Sequence, residues 1–412
     1  MKLLYITVSL PFGSNEEFFI PEINELLRQG HEVLIVPRSP KGAIANRDAE
    51  NLYKKSLSLH LLSPLVLILA AIEFLRHPVA AMRVFAQQLK SRNLLILAKN
   101  TVVFPKGLWL ASVARKWRAD HIHAQWGLTT GTMAMVAGQM SGIPWSFTVH
   151  RGDIVGNNLL ELKAREALFV RVISEDGIVL AAEVCGRPLQ GNIVMQHLGV
   201  EIPAARRCLY PVHSPPVLLC PASLIKRKGQ EYLIEALSIL RSRGQDMRLQ
   251  LAGEGERRWF LESLVVQLGL EDAVEFCGQV PHKELLALYE TGKVDVVVLP
   301  TLHEGIPVCL MEAMVYGIPV VSTKTGGIPE LLRDGAGIMV LPQDPEVLAD
   351  AIARLIQDPA LRALLGIAGR NRIEEHFAVG RTVAEFVACI EATSYPTPGD
   401  LRAAFEGGGG KR

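Results

Sequence analysis

Charge of one sign is missing: 43 Lys and Arg stand against 42 Asp and Glu in 412 residues, a formal net charge of +1. Nucleic acid is held by a broad basic field, and without one any anion must be bound locally. Cysteine is scarce and scattered, with Cys185, Cys208, Cys220, Cys277, Cys309 and Cys389 forming no CxxC pair. That spacing excludes a zinc ribbon or a disulfide framework and suits reduced, mostly buried thiols. No DxD pair or His/Asp cluster occurs, so nothing in the sequence asks for a metal or other cofactor. Gly253-Glu254-Gly255 follows a strand but lacks the third glycine and the later acid of a dinucleotide fingerprint, which excludes NAD.

Long hydrophobic runs are also missing. The most apolar stretch, Leu61 to Leu75, falls short of the roughly 20 residues a bilayer-spanning helix needs. The opening MKLLYITVSLPFG has an apolar run of only a few residues before Pro and Gly, so it reads as a first strand rather than a signal peptide. The expected location is cytoplasmic.

What is present is an ordinary globular composition, 49% apolar and 21% charged, in a chain longer than one hydrophobic core usually organises. Two domains follow. Strand Lys2 to Val8, a helix from about Glu16 ended by Gly30, and strand His31 to Val36 make a βαβ start. Further strands are expected at His121 to Ala124, Pro144 to Val149, Arg171 to Ser174 and Asn192 to Gln196. Residues 53–118 break the rhythm with a long helical, Leu- and Ala-rich stretch read as an insertion. Its apolar residues read first as core-facing helices of the first domain; because Arg76, Arg83, Lys90, Arg92 and Lys99 punctuate the apolar runs, a surface for an amphiphilic acceptor or a peripheral membrane contact is the alternative.

Four prolines between Glu201 and Pro216 mark a linker, and strands then alternate with helices from Val217 to Ser322. The expected layout is residues 1–205 as one Rossmann-like domain, 206–380 as a second, and 381–412 as a helix with a disordered tail ending EGGGGKR. The class is α/β, with two doubly wound parallel sheets. Ligands of such sheets lie at the carboxyl ends of the strands, which puts the expected site in a cleft between the two domains.

Four segments sit where that chemistry belongs. In LPTLHEGIPVCLMEAMVYGIPVVST, residues 299–323, Pro307 suits the first position of a helix and Gly317 the residue after its end. The helix N-terminus would attract a diphosphate, with Gly305, Ile306 and Pro307 lining the approach. Glu312, one and a half turns in, would take two ribose hydroxyls; Glu304, in the loop, would hold the donor sugar or the positive charge developing on it. Second, Ser223-Leu224-Ile225-Lys226-Arg227-Lys228-Gly229 puts cations where they neutralise a leaving diphosphate. Third, the strand end at His150 and Asp153 offers an imidazole that could bind the transferred sugar or assist proton movement. Fourth, Gly13 in Pro11-Phe12-Gly13-Ser14-Asn15 could bring backbone N–H groups to sugar or acceptor. Taken singly, each has an ordinary structural reading as a solvated charge, a packed histidine or a plain turn.

Together these residues resemble the retaining glycosyltransferases of family 4, which have the GT-B fold, over nearly the whole chain and most specifically over residues 217–345. Glu304 and Glu312 match its E-x7-E motif, Lys228-Gly229 its diphosphate lysine, Thr325 to Glu330 with Gly327 its TGGIPE loop, and Phe276 to Val280 its base-contacting segment. His150 and Asp153 are similar to its H-x-x-D strand end. Two departures stand out. Ser223 replaces the usual Arg, and in His123-Ala124-Gln125-Trp126 the residue Gln125 replaces the second His of an H-x-H-F segment found in relatives acting on exopolysaccharide, which would bear on the acceptor. The resemblance implies that the first domain binds acceptor and the second nucleotide sugar, with metal-independent, retaining transfer of a hexosyl unit from a UDP- or GDP-hexose to a saccharide or lipid-linked saccharide in surface polysaccharide synthesis. A sugar-nucleotide epimerase of the same architecture, needing no acceptor, and an inactive nucleotide-binding subunit are the alternatives.

Overall fold

The computed structural model describes residues 1–13, 16–44, 47–203 and 212–393. Two compact units divide the chain: Met1–Ile173, Gly177–His197 and Gly380–Arg412 form the first, Ser174–Asp176 and Leu198–Val379 the second. The final helix, Val379–Thr393, thus belongs almost wholly to the first unit, where Phe386 packs edge-on to His123 at 4.7 Å. The expected tail, most of the linker, Ser14 and Asn15 lie outside the described residues.

The first unit is a six-stranded parallel sheet in the order β2-β1-β3-β4-β5-β6, with β1 Lys2–Thr7, β2 Glu32–Pro37, β3 His121–Ala124, β4 Trp145–Val149, β5 Phe169–Val172 and β6 Ile193–Met195. Its central strands are buried on both faces, as in a helix-covered parallel sheet, but one face of β3 and β4 is polar, with His121 and His123 bonded to Ser146 and His123 also to Thr148. β5 lies two residues before the expected Arg171 to Ser174: the strand runs through Arg171, a fully buried arginine neutralised by Glu22 at 2.7 Å. The first helix starts at Ile20 rather than near Glu16, which precedes a short 3-10 turn. Following α1 (Ile20–Arg28), the chain between β2 and β3 forms α2 (Arg47–Tyr53), α3 (Pro64–Arg76), α4 (Pro78–Gln88) and α5 (Leu94–Trp117); α6 (Thr129–Ser141) comes next. Ser63 and Asn93 cap α3 and α5 with side-chain oxygens, each accepting a first-turn N–H.

The second unit repeats the plan with β7 Val217–Pro221, β8 Arg248–Ala252, β9 Val274–Gly278, β10 Val296–Leu299, β11 Val320–Thr323 and β12 Ile338–Val340. Its order, β12-β11-β10-β7-β8-β9, is the 3-2-1-4-5-6 arrangement of a dinucleotide-type fold. In such a sheet the strand order reverses between the first and fourth strands, and a crevice opens at their carboxyl ends. Here those strands are β7 and β10, which pair directly through Leu218 and Leu219 with Val296 and Val297. One continuous core from Leu218 to Phe377 holds the layers together.

Candidate functional site

Two loops leave the reversal point of the second sheet. The one after β7 turns through Lys226–Lys228 into Gly229, at φ +66°, where a Cβ would stand 2.2 Å from the Pro300 carbonyl. Only glycine permits both the left-handed backbone and that approach. The Arg227 carbonyl then accepts the Leu302 N–H at 2.7 Å and the Thr301 hydroxyl at 2.9 Å, fastening this loop to the one after β10. The consequence is electrostatic. The Lys228 ammonium, 12% exposed, donates to the Glu304 carboxylate, 15% exposed, and Arg227 approaches the same carboxylate at 3.6 Å.

A third loop closes over the second. A Cβ on Gly326 would fall 1.8 Å from the Glu304 carbonyl, and one on Gly327 would fall 2.8 Å from the Ile306 side chain and 2.9 Å from the Gly305 carbonyl. Two consecutive glycines let backbone rest on backbone. Past Ile306, Pro307 takes φ −78° and ψ 113°, the extended geometry of a cap rather than the expected first helical residue, and the helix runs Val308–Val315. Gly317 follows its end at φ +73°. Glu312, 8% exposed, bonds His282 Nε2 at 2.6 Å. His282 opens the helix His282–Glu290, two residues after half-buried Val280. Sequence reasoning missed this histidine, because thirty residues separate it from Glu312 and only the adjacency of the two helices joins them. Ser223 is exposed, and its carbonyl accepts from Gln230 Nε2 at 2.9 Å. Cys220 and Cys309 are pushed up to about 12 by burial, which keeps both as thiols. The five described cysteines are free.

In the first unit the predicted residues are tied into the protein by hydrogen bonds and ring packing. Asp153, 2% exposed, accepts the N–H groups of His150 at 3.0 Å and Leu128 at 3.1 Å, tying the helix Arg151–Gly156 to a neighbouring loop. Burial lifts its carboxyl to about 6 against those bonds. His150 rests on the Trp126 ring at 4.3 Å with Nε2 out of reach of solvent, and burial first, then the Arg171 charge, push its pKa down to about 3. An imidazole so weakly basic stands neutral near neutral pH, and its Nε2 has no hydrogen-bond partner among the described residues. Gln125 is fully buried, donating to the Tyr5 hydroxyl and to Glu22 at 2.8 Å, so it faces protein rather than an acceptor. Gly13, at φ +69°, donates its N–H to the Ala43 carbonyl at 2.9 Å.

The reversal point of this first sheet lies between β1 and β3, and a residue that sequence reasoning passed over fills it. Glu16, 2% exposed, accepts the consecutive N–H groups of Val8, Ser9 and Leu10 at 2.9, 2.5 and 2.8 Å, and the Trp126 indole at 2.6 Å. Such a run of N–H groups is an anion site, here taken by the protein's own carboxylate.

Residues 205–372, the segment bearing the Lys228, Glu304 and Glu312 loops, match the family model of glycosyl transferases group 1. That segment of the second unit is thus similar to glycosyl transferases group 1. The amylovoran biosynthesis glycosyltransferase AmsK of Erwinia amylovora is 26% identical over 92% of this chain and 96% of its own length. Alpha-D-kanosaminyltransferase of Streptomyces kanamyceticus is 35% identical over 154 residues, 37% of this chain; the chain spans 39% of that relative's length. Among solved structures, Anabaena Alr3699/HepE in complex with UDP-glucose superposes with a TM-score of 0.67 at 20% identity over 94% of this chain and 99% of that one. That likeness shows a shared α/β GT-B fold.

Proposed function

We propose that this protein is a retaining glycosyltransferase that moves a hexosyl unit from a UDP- or GDP-hexose to a saccharide or lipid-linked saccharide of a surface polysaccharide. The observation that carries the reading is the meeting of the Lys228 and Glu304 loops at the reversal point of the second sheet. A diphosphate there would draw Lys228 and Arg227 from Glu304, and both cations would stabilise charge growing on the leaving phosphate. The start of the helix Val308–Val315 adds its dipole. Glu304, released, would accept sugar hydroxyls, while Glu312, oriented by His282, would accept those of the ribose. The leaving phosphate would take the acceptor's proton, so neither a covalent carboxylate nor a metal has a step. Arg227, 3.6 Å from Glu304, supplies the second cation that Ser223 does not, which favours an active enzyme over an inactive binding subunit.

Both the AmsK name and the HepE complex with UDP-glucose support this reading. Its test is product analysis by NMR with UDP-glucose, UDP-galactose and GDP-mannose, each with and without a polyprenyl-diphosphate saccharide. An acceptor-dependent α-linked product supports transfer with retention. A β-linked product refutes retention, and interconversion of donor sugars without acceptor makes the protein an epimerase.

A further inference from the structure

Exposed apolar surface is unevenly spread: half of the large apolar side chains that stand exposed among the described residues fall between residues 53 and 102. On α3, Val66 and Ala70 pack into the helical layer, yet Leu65, Ile68 and Leu75 point outward at 51, 59 and 76% exposure. α4 adds Val79 and Met82, and the start of α5 adds Leu94 at 83%. A helix apolar on every side is buried on every side, so the protein covers only part of this one. α3 and α4 meet at an angle of 111°. Between them and α5 lies an open groove of about 450 Å³ whose walls, Phe74, Met82, Phe85, Phe104 and Leu108 among them, are apolar throughout.

Charge identifies the occupant. Across residues 53–118 the chain has eleven Lys or Arg and a single acid, Glu73, in a protein whose net charge is +1. Glu73 is 1% exposed and pairs with Arg115 at 2.5 Å, so it adds no negative charge to the surface. Arg76, Arg83, Lys90, Arg92 and Lys99 are all exposed around the apolar residues. A second copy offering the same basic face would be repelled. Although α5 is long and apolar enough to span a bilayer, its stretch Val103 to Ala114 is mostly packed in the protein.

We infer that the α3–α4 elbow and the start of α5 form a docking surface for an anionic lipid bilayer. Leucines and Ile68 enter the acyl boundary, the arginines and lysines meet lipid phosphates, and the groove takes one hydrocarbon chain. The inference stands apart from the donor chemistry, because docking is measured without nucleotide.

The test is flotation of the full chain with phosphatidylcholine vesicles, with and without roughly one-third phosphatidylglycerol, at low and high salt. Anionic vesicles should bind at least about tenfold more tightly, since each basic side chain near such a surface is worth about fivefold, and salt should erode the difference. Leu65→Glu with Ile68→Glu should abolish binding, and Arg76→Glu with Arg83→Glu should abolish the preference for anionic lipid. Circular dichroism and melting unchanged in these exposed-site variants would show that they fold. No flotation of the wild type, flotation unaffected by the folded variants, or self-association that Leu65→Glu and Ile68→Glu remove in place of vesicle binding would each overturn the inference.

Discussion

The two units carry parallel sheets of six strands each, and both reverse strand order beside their first strand, yet they treat that point oppositely. In the first, Glu16 fills it, satisfying three backbone N–H groups and an indole from inside the chain. In the second, Lys228 and Glu304 remain partly exposed and satisfy each other. A site that supplies its own anion is finished as structure. One held by a pair of opposite side-chain charges can exchange one partner for a ligand. Fold therefore locates both crevices, and side-chain chemistry decides which is open for binding.

The sharpest way to break this contrast is to empty the closed site. Glu16→Ala leaves the Val8, Ser9 and Leu10 N–H groups without their acceptor, and we expect a loss of about 1–3 kcal/mol or more in urea unfolding, with nucleotide affinity little changed in protein that remains folded. Equal losses of stability and affinity would mean that the first crevice also serves the donor. At the open site, Lys228→Ala should leave the fold intact and lower turnover by about 10²–10³-fold in a steady-state transfer assay. Turnover within a factor of two of wild type would remove Lys228 from the leaving-group role.

A smaller, pH-dependent effect belongs to the first unit, which holds both His121 and Asp153. Burial lowers His121 from 6.5 to about 3; between those values the unfolded chain holds a proton that the folded one refuses, so its contribution to stability falls as pH falls. Asp153, raised from 3.8 to about 6 by burial, acts oppositely, since the folded state keeps a proton the unfolded state has released, and stability falls as pH rises through that window. Wild type should therefore lose Tm relative to His121→Asn as pH drops from about 6.5 towards 3, with the net acid loss steepest below about 4, where Asp153 no longer opposes it. Parallel Tm curves would show that His121 does not supply the slope.

The second unit was the more legible because its punctuation is local. Gly244, Gly269 and Gly317 all take positive φ just past helix ends, and the Lys228, Glu304 and Gly326-Gly327 segments each follow a strand. Motif and geometry coincide there because backbone contact at 2.2 Å or less admits only glycine. The first unit hides its logic in distant pairs. The sequence puts β5 two residues late, with Arg171 at its edge, because only Glu22, 149 residues away, lets that arginine sit inside the strand, and Gln125 looks like a ligand contact until Tyr5 and Glu22 claim it. Glu16 carries no motif, for its role exists only once the chain folds back over β1. His282 was invisible for the same reason. β12, Ile338–Val340, was not expected from the sequence.

Calorimetric titration of wild type and Glu312→Ala with UDP, GDP, ADP and their sugar conjugates, with and without magnesium, tests the open site most directly. The account predicts magnesium-independent binding of one nucleotide, weakened at least about tenfold in the variant by loss of a charged hydrogen-bond acceptor. Binding of equal strength in the two proteins would contradict it, placing the nucleotide away from the Glu304 and Glu312 loops.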